Sequence, residues 1–159
     1  MSTEQANAQL IQKFYDAFQR RDAETMGSCY ADDVHFSDAA FPDLRGERAR
    51  NMWRMLCARA GADFTIEVGG VEGDARGGKA HWEAWYTFVR TGRKVHNVID
   101  ARFEIENGRI VRHVDTFDFP RWARQAFGPV GLLLGWTSFF RKKVQAQTDQ
   151  LLTSFIAKR

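Results

Sequence analysis

The chain has 159 residues, 44% apolar and 13% aromatic, which fits one ordinary domain with its own core and excludes a disordered or low-complexity chain. Lys and Arg number 23 and Asp and Glu 20, but the charge is uneven, with +6 on residues 120–159 and −3 on residues 1–119. No apolar run reaches the roughly 18 residues of a membrane-spanning helix. The segment from Met1 lacks the basic and apolar regions of a signal peptide. Cys29 and Cys57 lack CxxC spacing and read as inert core thiols of a cytoplasmic protein.

Ser2 or Thr3 caps a first helix that runs to about Arg20, with Leu10, Ile11, Phe14 and Phe18 as its apolar stripe. Asp22 caps a short second helix whose apolar side is Met26, Cys29 and Tyr30. Residues 34–38 alternate as a short strand ending at Asp38. A loop with Pro42 and Gly46 leads to a third helix over about residues 47–59, with Ala49, Met52, Trp53 and Leu56 on its apolar side. From Phe64 the period falls to two, and strands follow from 64, over 79–90, over 94–106 and over 110–118. Thr91-Gly92 turns the chain, and Asn107-Gly108 is the strongest hairpin signal, because both turn positions need positive φ. After Phe119, prolines and glycines punctuate an apolar stretch, and a terminal helix covers about residues 138–157. This order predicts an α+β fold, with three N-terminal helices on one face of a curved, mostly antiparallel sheet. Residues 1–119 form the domain, and residues 120–159 a helical extension packed on it.

Strand alternation sorts the side chains. Val95, Asn97, Ile99, Ala101, Phe103 and Ile105 face inward, as do Trp82, Ala84, Tyr86 and Phe88. In the last strand Val111, His113, Asp115, Phe117 and Phe119 face inward, leaving Ile110, Arg112, Val114, Thr116 and Asp118 outside. Trp85 then lies on the outer face, where an aromatic points to another chain covering it.

The polar groups expected inside are few: Asp38, Asn97, His113 and Asp115, with the hydroxyls of Tyr15, Tyr30 and Tyr86. Aromatic walls with a few convergent polar groups describe a small-molecule pocket, here walled by Phe14, Trp53, Trp82 and Phe117. A carboxylate beside aromatics resists ionising. His113 and Asp115 share one face, so the carboxylate can orient the imidazole. Asp38, His113 and Asp115 are therefore the catalytic candidates. Each has a structural alternative: Asp38 closing a turn, His113 with Asp115 as a buried ion pair, the aromatics as plain core. No metal or cofactor is predicted, since a zinc site on this face would lack the usual His and Cys ligands.

The stretch FYDAFQRRDAETMGSCYADDVHFSD, the hairpin around ENGRIVRHVDTFD and the element order resemble the SnoaL-like branch of the superfamily of nuclear transport factor two and ketosteroid isomerase. The resemblance covers roughly residues 8–119. It implies a cone-shaped α+β barrel with a deep pocket, usually dimeric through the outer sheet face. Members include isomerases, polyketide cyclases, epoxide hydrolases, dehydratases and pure binders, so the fold alone does not settle the activity. By resemblance Asp38 stands where ketosteroid isomerases place their general base. Their proton-donor tyrosine falls at Phe14, with Tyr15 adjacent but turned about 100° around the helix. Their second aspartate falls at Asp100 by count and at Ala101 by strand phase, and the phase is the stronger guide. Steroid isomerisation is accordingly disfavoured. RHVDTFD is similar to the segment that carries the first catalytic aspartate of limonene-type epoxide hydrolases, here Asp115, but their Arg-x-Asp has no match near Trp82 to Trp85. The polyketide-cyclase aspartate falls nearer Asp118, with Gln125 and Gly128 in the downstream motif.

The expected partner is a small apolar molecule bearing a carbonyl or hydroxyl, acted on by acid–base chemistry or simply bound and carried. The basic tail has no nucleic-acid motif beside it, so no nucleic acid is expected. The run GLLLGWTSFFRKK is compatible with a membrane-surface helix, a flap over the pocket or a dimer element, but packing on its own body is preferred because glycine breaks the run.

Overall fold

A computed structural model describes all 159 residues. Helix α1 (Thr3–Gln19) starts at a capping box, in which Ser2 accepts from the Gln5 amide and Gln5 reaches back to Ser2. Helix α2 (Ala23–Ser28) is capped by Asp22, which accepts from the Thr25 amide. Strand β1 (Tyr30–Ser37), the two-residue β2 (Leu44–Arg45) and helix α3 (Glu47–Arg59) follow. Then come β3 (Thr65–Gly73), β4 (Gly77–Phe88), β5 (Arg93–Glu106) and β6 (Arg109–Thr116). Helices α4 (Phe119–Phe127), α5 (Pro129–Leu134) and α6 (Ser138–Ala157) complete the chain.

The fold is α+β. Six strands form one open, curved sheet in the order β2-β1-β6-β5-β4-β3, antiparallel except where β1 runs parallel to β6. Asn107 and Gly108 adopt φ of 52° and 74°, a region that asparagine tolerates and glycine enters freely for lack of a Cβ, and close the β5–β6 hairpin. Helix α1 packs on β3 and β4, and α3 on β1 and β2.

Three local features depart from the sequence reading. Strand β1 begins at Tyr30, because pairing of Tyr30 with Ile110 extends a segment whose Ala31, Asp32 and Asp33 carry little strand propensity. Ile110 is fully buried rather than outward, because β6 holds one extra residue opposite Glu104 and Ile105, and this bulge reverses the strand phase. The expected helical extension starts at Phe119 and is divided at Gly128 into α4 and α5 before the terminal helix, in place of the punctuated stretch read after Phe119. Asp118 caps α4 by accepting from the Arg121 amide at 3.0 Å, and Pro120 sits in the first turn.

Two apolar clusters hold the helices to the sheet. The larger lies beneath α1 and α3 and includes Leu152 of α6. The smaller joins Val95 of β5 to Phe119, Trp122, Ala123 and Ala126 of α4 and to Phe140 and Val144 of α6. Leu152 is fully buried, so Leu152→Ala leaves a cavity at the join. Chemical unfolding of that variant is expected to show a loss of about 2–5 kcal/mol; a loss below about 1 kcal/mol would mean that α6 contributes little to this core.

Candidate acid–base site

His113 is fully buried and ringed by aromatics, with centroids of Phe103, Phe36, Phe14 and Trp53 at 4.3, 5.0, 5.4 and 6.0 Å. Both of its nitrogens have partners. Tyr30 Oη lies 2.8 Å from Nδ1, and Asp115 Oδ1 lies 2.9 Å from Nε2. Trp53 donates its indole N–H to Tyr30 Oη at 2.8 Å. One assignment uses every donor once: Trp53 N–H to Tyr30, Tyr30 O–H to His113 Nδ1, and His113 Nε2–H to Asp115. Helix α3, strand β1 and strand β6 are thus joined by one directed chain that ends on a carboxylate. Arg50 supports it by donating to the Tyr30 and Ala31 carbonyls at 3.0 and 2.8 Å.

Asp38 follows directly after β1. Its Oδ1 accepts from the Ala40 and Phe41 amides at 2.8 and 2.6 Å, closing a turn. Its other oxygen takes no hydrogen bond from the protein. Burial pushes this carboxyl up from its ordinary value to about 7; the two amides oppose the shift and the Asp115 charge adds to it. Turn closure and a raised proton affinity therefore coexist at one residue.

Two further donors stand unpartnered in the interior: the Tyr15 hydroxyl and the Trp82 indole N–H. Their rings lie 6.2 Å apart. Burial first, and the Asp115 charge second, hold the Tyr15 hydroxyl well above its usual range. Asp115 pairs in register with Ala101, which pairs with Ala80, so small side chains lie next to Asp115 along this row of the sheet. Tyr86 accepts from Trp122 at 2.8 Å; burial pushes its hydroxyl up to about 12, with the Asp38 charge contributing. Asn97 and Phe117 are half-buried on the same inner face. Phe14 is fully buried against Tyr30, Trp53 and His113.

The structure thus brings His113, Asp115, Tyr30 and Trp53 into one chain, and places Asp38 and Tyr15 within electrostatic reach of its acidic end, with Tyr86 in turn within reach of Asp38. Asp100 is exposed and holds His81 Nδ1 at 2.8 Å on the outer face, whereas Ala101 is inside. Asp118 serves as a helix cap and Gln125 accepts from the His96 amide, so neither reaches this interior. Burial raises the Cys29 thiol, and raises Cys57 to about 11, which makes both poor nucleophiles. No group of three His, Cys, Asp or Glu is arranged to hold a metal ion. Arg50 and Trp122 escaped the sequence reading. Arg50 carried a signal, as a charged residue among the apolar positions of α3.

The loop after Asp38 is covered by α6: Gln145 donates to the Ala39 carbonyl at 3.0 Å and Thr148 to the Ala40 carbonyl at 2.7 Å. Two open clefts lie elsewhere, one of 190 Å³ between Phe18 and Phe64 and one of 510 Å³ across Arg76, Arg102 and Arg112. The first is lined by Gln19, Arg21 and Thr65 among its polar groups and the second mainly by charged side chains, and neither holds the unpartnered buried donors of Tyr15 and Trp82, so the interior is the candidate site.

Two variants test this geometry. Tyr30→Phe leaves Trp53 N–H and His113 Nδ1 without partners, and an unfolding loss of about 2–5 kcal/mol is expected. Asp38 keeps its proton in the folded chain up to about pH 7, but in the unfolded chain it ionises near about pH 4. Between those values the folded state binds more protons, so Asp38 lowers stability as pH rises through the window. Asp38→Asn removes that loss. Its advantage over the parent should grow from pH 4 to pH 7 and level off at about 1–3 kcal/mol, below the full conversion because the residue is only half-buried. Parallel pH profiles of the two proteins would contradict this.

Comparison with known proteins bears on the family and the fold. Residues 11–113 match the family model for the SnoaL-like domain. No curated protein matches the chain. Among solved structures, an LEH-like epoxide hydrolase of M. tuberculosis superposes with a TM-score of 0.63 at 21% identity, covering 84% of this chain and 98% of that one. A proposed polyketide cyclase from Xanthomonas campestris gives 0.60 at 22% identity over 79% and 99% of the two chains. A nuclear-transport-factor-two-like protein of unknown function from Burkholderia pseudomallei gives 0.65 at 22% identity over 80% and 99%. The curved sheet under three N-terminal helices and the family match over residues 11–113 together make this chain a member of the SnoaL-like family.

Proposed function

We propose that the protein is a cofactor-independent enzyme that moves a proton on a small apolar molecule bearing a carbonyl or hydroxyl. The observation that carries this reading is the Asp38 carboxyl, raised to about 7, with one oxygen free of protein donors. A group that titrates near neutrality takes and returns a proton with the least loss on either side. Asp38 acts as the base. Its two backbone donors fix the carboxyl plane and leave the second oxygen for the substrate. Burial is the main cause of the raised affinity of Asp38 for a proton, and Asp115, bonded to His113, adds to it. Tyr30 is occupied by Trp53 and His113, so Tyr15 O–H and Trp82 N–H are the better donors to a developing oxyanion. Isomerisation, cyclisation, dehydration and epoxide hydration all use such a set. Steroid isomerisation is the least supported, because Phe14 and Ala101 cannot supply the isomerase donors.

A second reading is binding without turnover. It is favoured by α6 lying across the Asp38 loop and by the aromatic rings that fill the space around His113.

Solvent-deuterium exchange into hydrophobic cyclic ketones, with hydration of apolar epoxides run in parallel, separates the two. The enzyme reading expects turnover of at least one class, lowered about 10²–10⁴-fold in Asp38→Asn. Binding by calorimetry with no turnover, and affinity unchanged within tenfold in Asp38→Asn and Asp115→Asn, would replace it with the carrier reading.

A further inference from the structure

Helix α5 is built backwards. An amphipathic surface helix normally buries its apolar edge. Here the glycine edge is buried. A Cβ at Gly131 would stand 1.8 Å from the Ala123 carbonyl oxygen, and one at Gly135 would stand 2.7 Å from Ala123 Cβ. Only glycine permits that approach, so α5 lies hard against α4 with its glycines inward. Val130, Leu132, Leu133 and Leu134 are consequently turned to solvent, Leu133 at 69% exposure. Trp136 is 73% exposed and Phe139 69%. The Trp136 indole N–H donates to the Leu133 carbonyl at 2.8 Å, which pins the ring on the tip. An apolar patch of this kind on a folded surface marks a binding face.

Its rim identifies the occupant. Arg141, Lys142 and Lys143 are exposed in the first turns of α6, and Lys143 Nζ lies 5.8 Å from the Phe139 ring centre. Arg124 is exposed on α4, beside the Gly131 contact. No Asp or Glu occurs between Asp118 and Asp149. Leucines at a tip, an indole beside them and a basic collar without acids match the layers of an anionic bilayer surface: acyl chains, interface and headgroups. A second copy packed tip to tip would set Arg141, Lys142 and Lys143 against their own counterparts. A nucleic acid would leave the leucines wet. No helix of the chain is long and apolar enough to cross a membrane, so the mode is docking.

We propose that the α5–α6 turn inserts its leucines, Trp136 and Phe139 into the interface of an anionic lipid bilayer, with Arg141, Lys142 and Lys143 on the headgroups. The test is flotation of the full chain with vesicles of phosphatidylcholine, with and without about one-third phosphatidylserine. The parent is expected to float with the anionic vesicles and poorly with the neutral ones. Leu133→Ser with Trp136→Ser should cut partitioning at least tenfold, and Lys142→Glu with Lys143→Glu about tenfold with a weaker salt dependence. All four residues are exposed, so both variants should keep the parent's melting temperature, which is measured alongside. The proposal is overturned if the parent fails to float with anionic vesicles or if the serine variant floats as well as the parent. It is also overturned if the parent self-associates through the tip and ignores lipid.

Discussion

His113 lies where no water reaches it, so protein must serve both of its nitrogens. Tyr30 does so on one side and Asp115 on the other. These bonds run through a low-dielectric aromatic core, where a satisfied polar chain specifies one arrangement and a broken one is costly. The chain fixes how α3 sits on β1 and how β1 meets β6 in the one parallel pairing of the sheet. It also sets the plane of Asp115, whose charge reaches Tyr15 and Asp38. Candidate site and scaffold share one set of bonds.

The period-two pattern from Phe64 to Asp118 and the Asn107-Gly108 turn make the hairpin sheet legible in the sequence. The phase of β5 is equally legible: Ala101 inside and Asp100 outside follow from alternation alone. His113 and Asp115 could be placed on one face for the same reason. Ile110 could not be placed, because a bulge is a relation between two strands and leaves no mark on either one. The helical character of residues 120–159 is legible, but the bounds of α4 and α5 are not, because glycine and proline read as breaks although Asp118 and Pro120 form a helix start. The partners Tyr30 and Trp53 lie far from His113 along the chain, and which of them shares a bond is a tertiary fact.

Asp38 shows how a turn residue acquires a second property. Its two backbone bonds are local and ordinary. Its raised affinity for a proton comes from elsewhere, from the body that buries it and from Asp115 on another strand. Helix α6 belongs to that body, through Gln145 and Thr148 on the loop that follows. The C-terminal segment thus serves two surfaces, covering the Asp38 loop along its middle and presenting exposed apolar residues where it begins.

The most direct test of the acid–base account is a carbon-13 NMR titration of the Asp38 carboxyl in the parent and in Asp115→Asn. The account predicts an apparent pKa near 7 in the parent and a lower one in the variant, because removing the Asp115 charge removes one cause of the shift. An Asp38 that titrates at an ordinary carboxylate value, or one indifferent to Asp115, would contradict it.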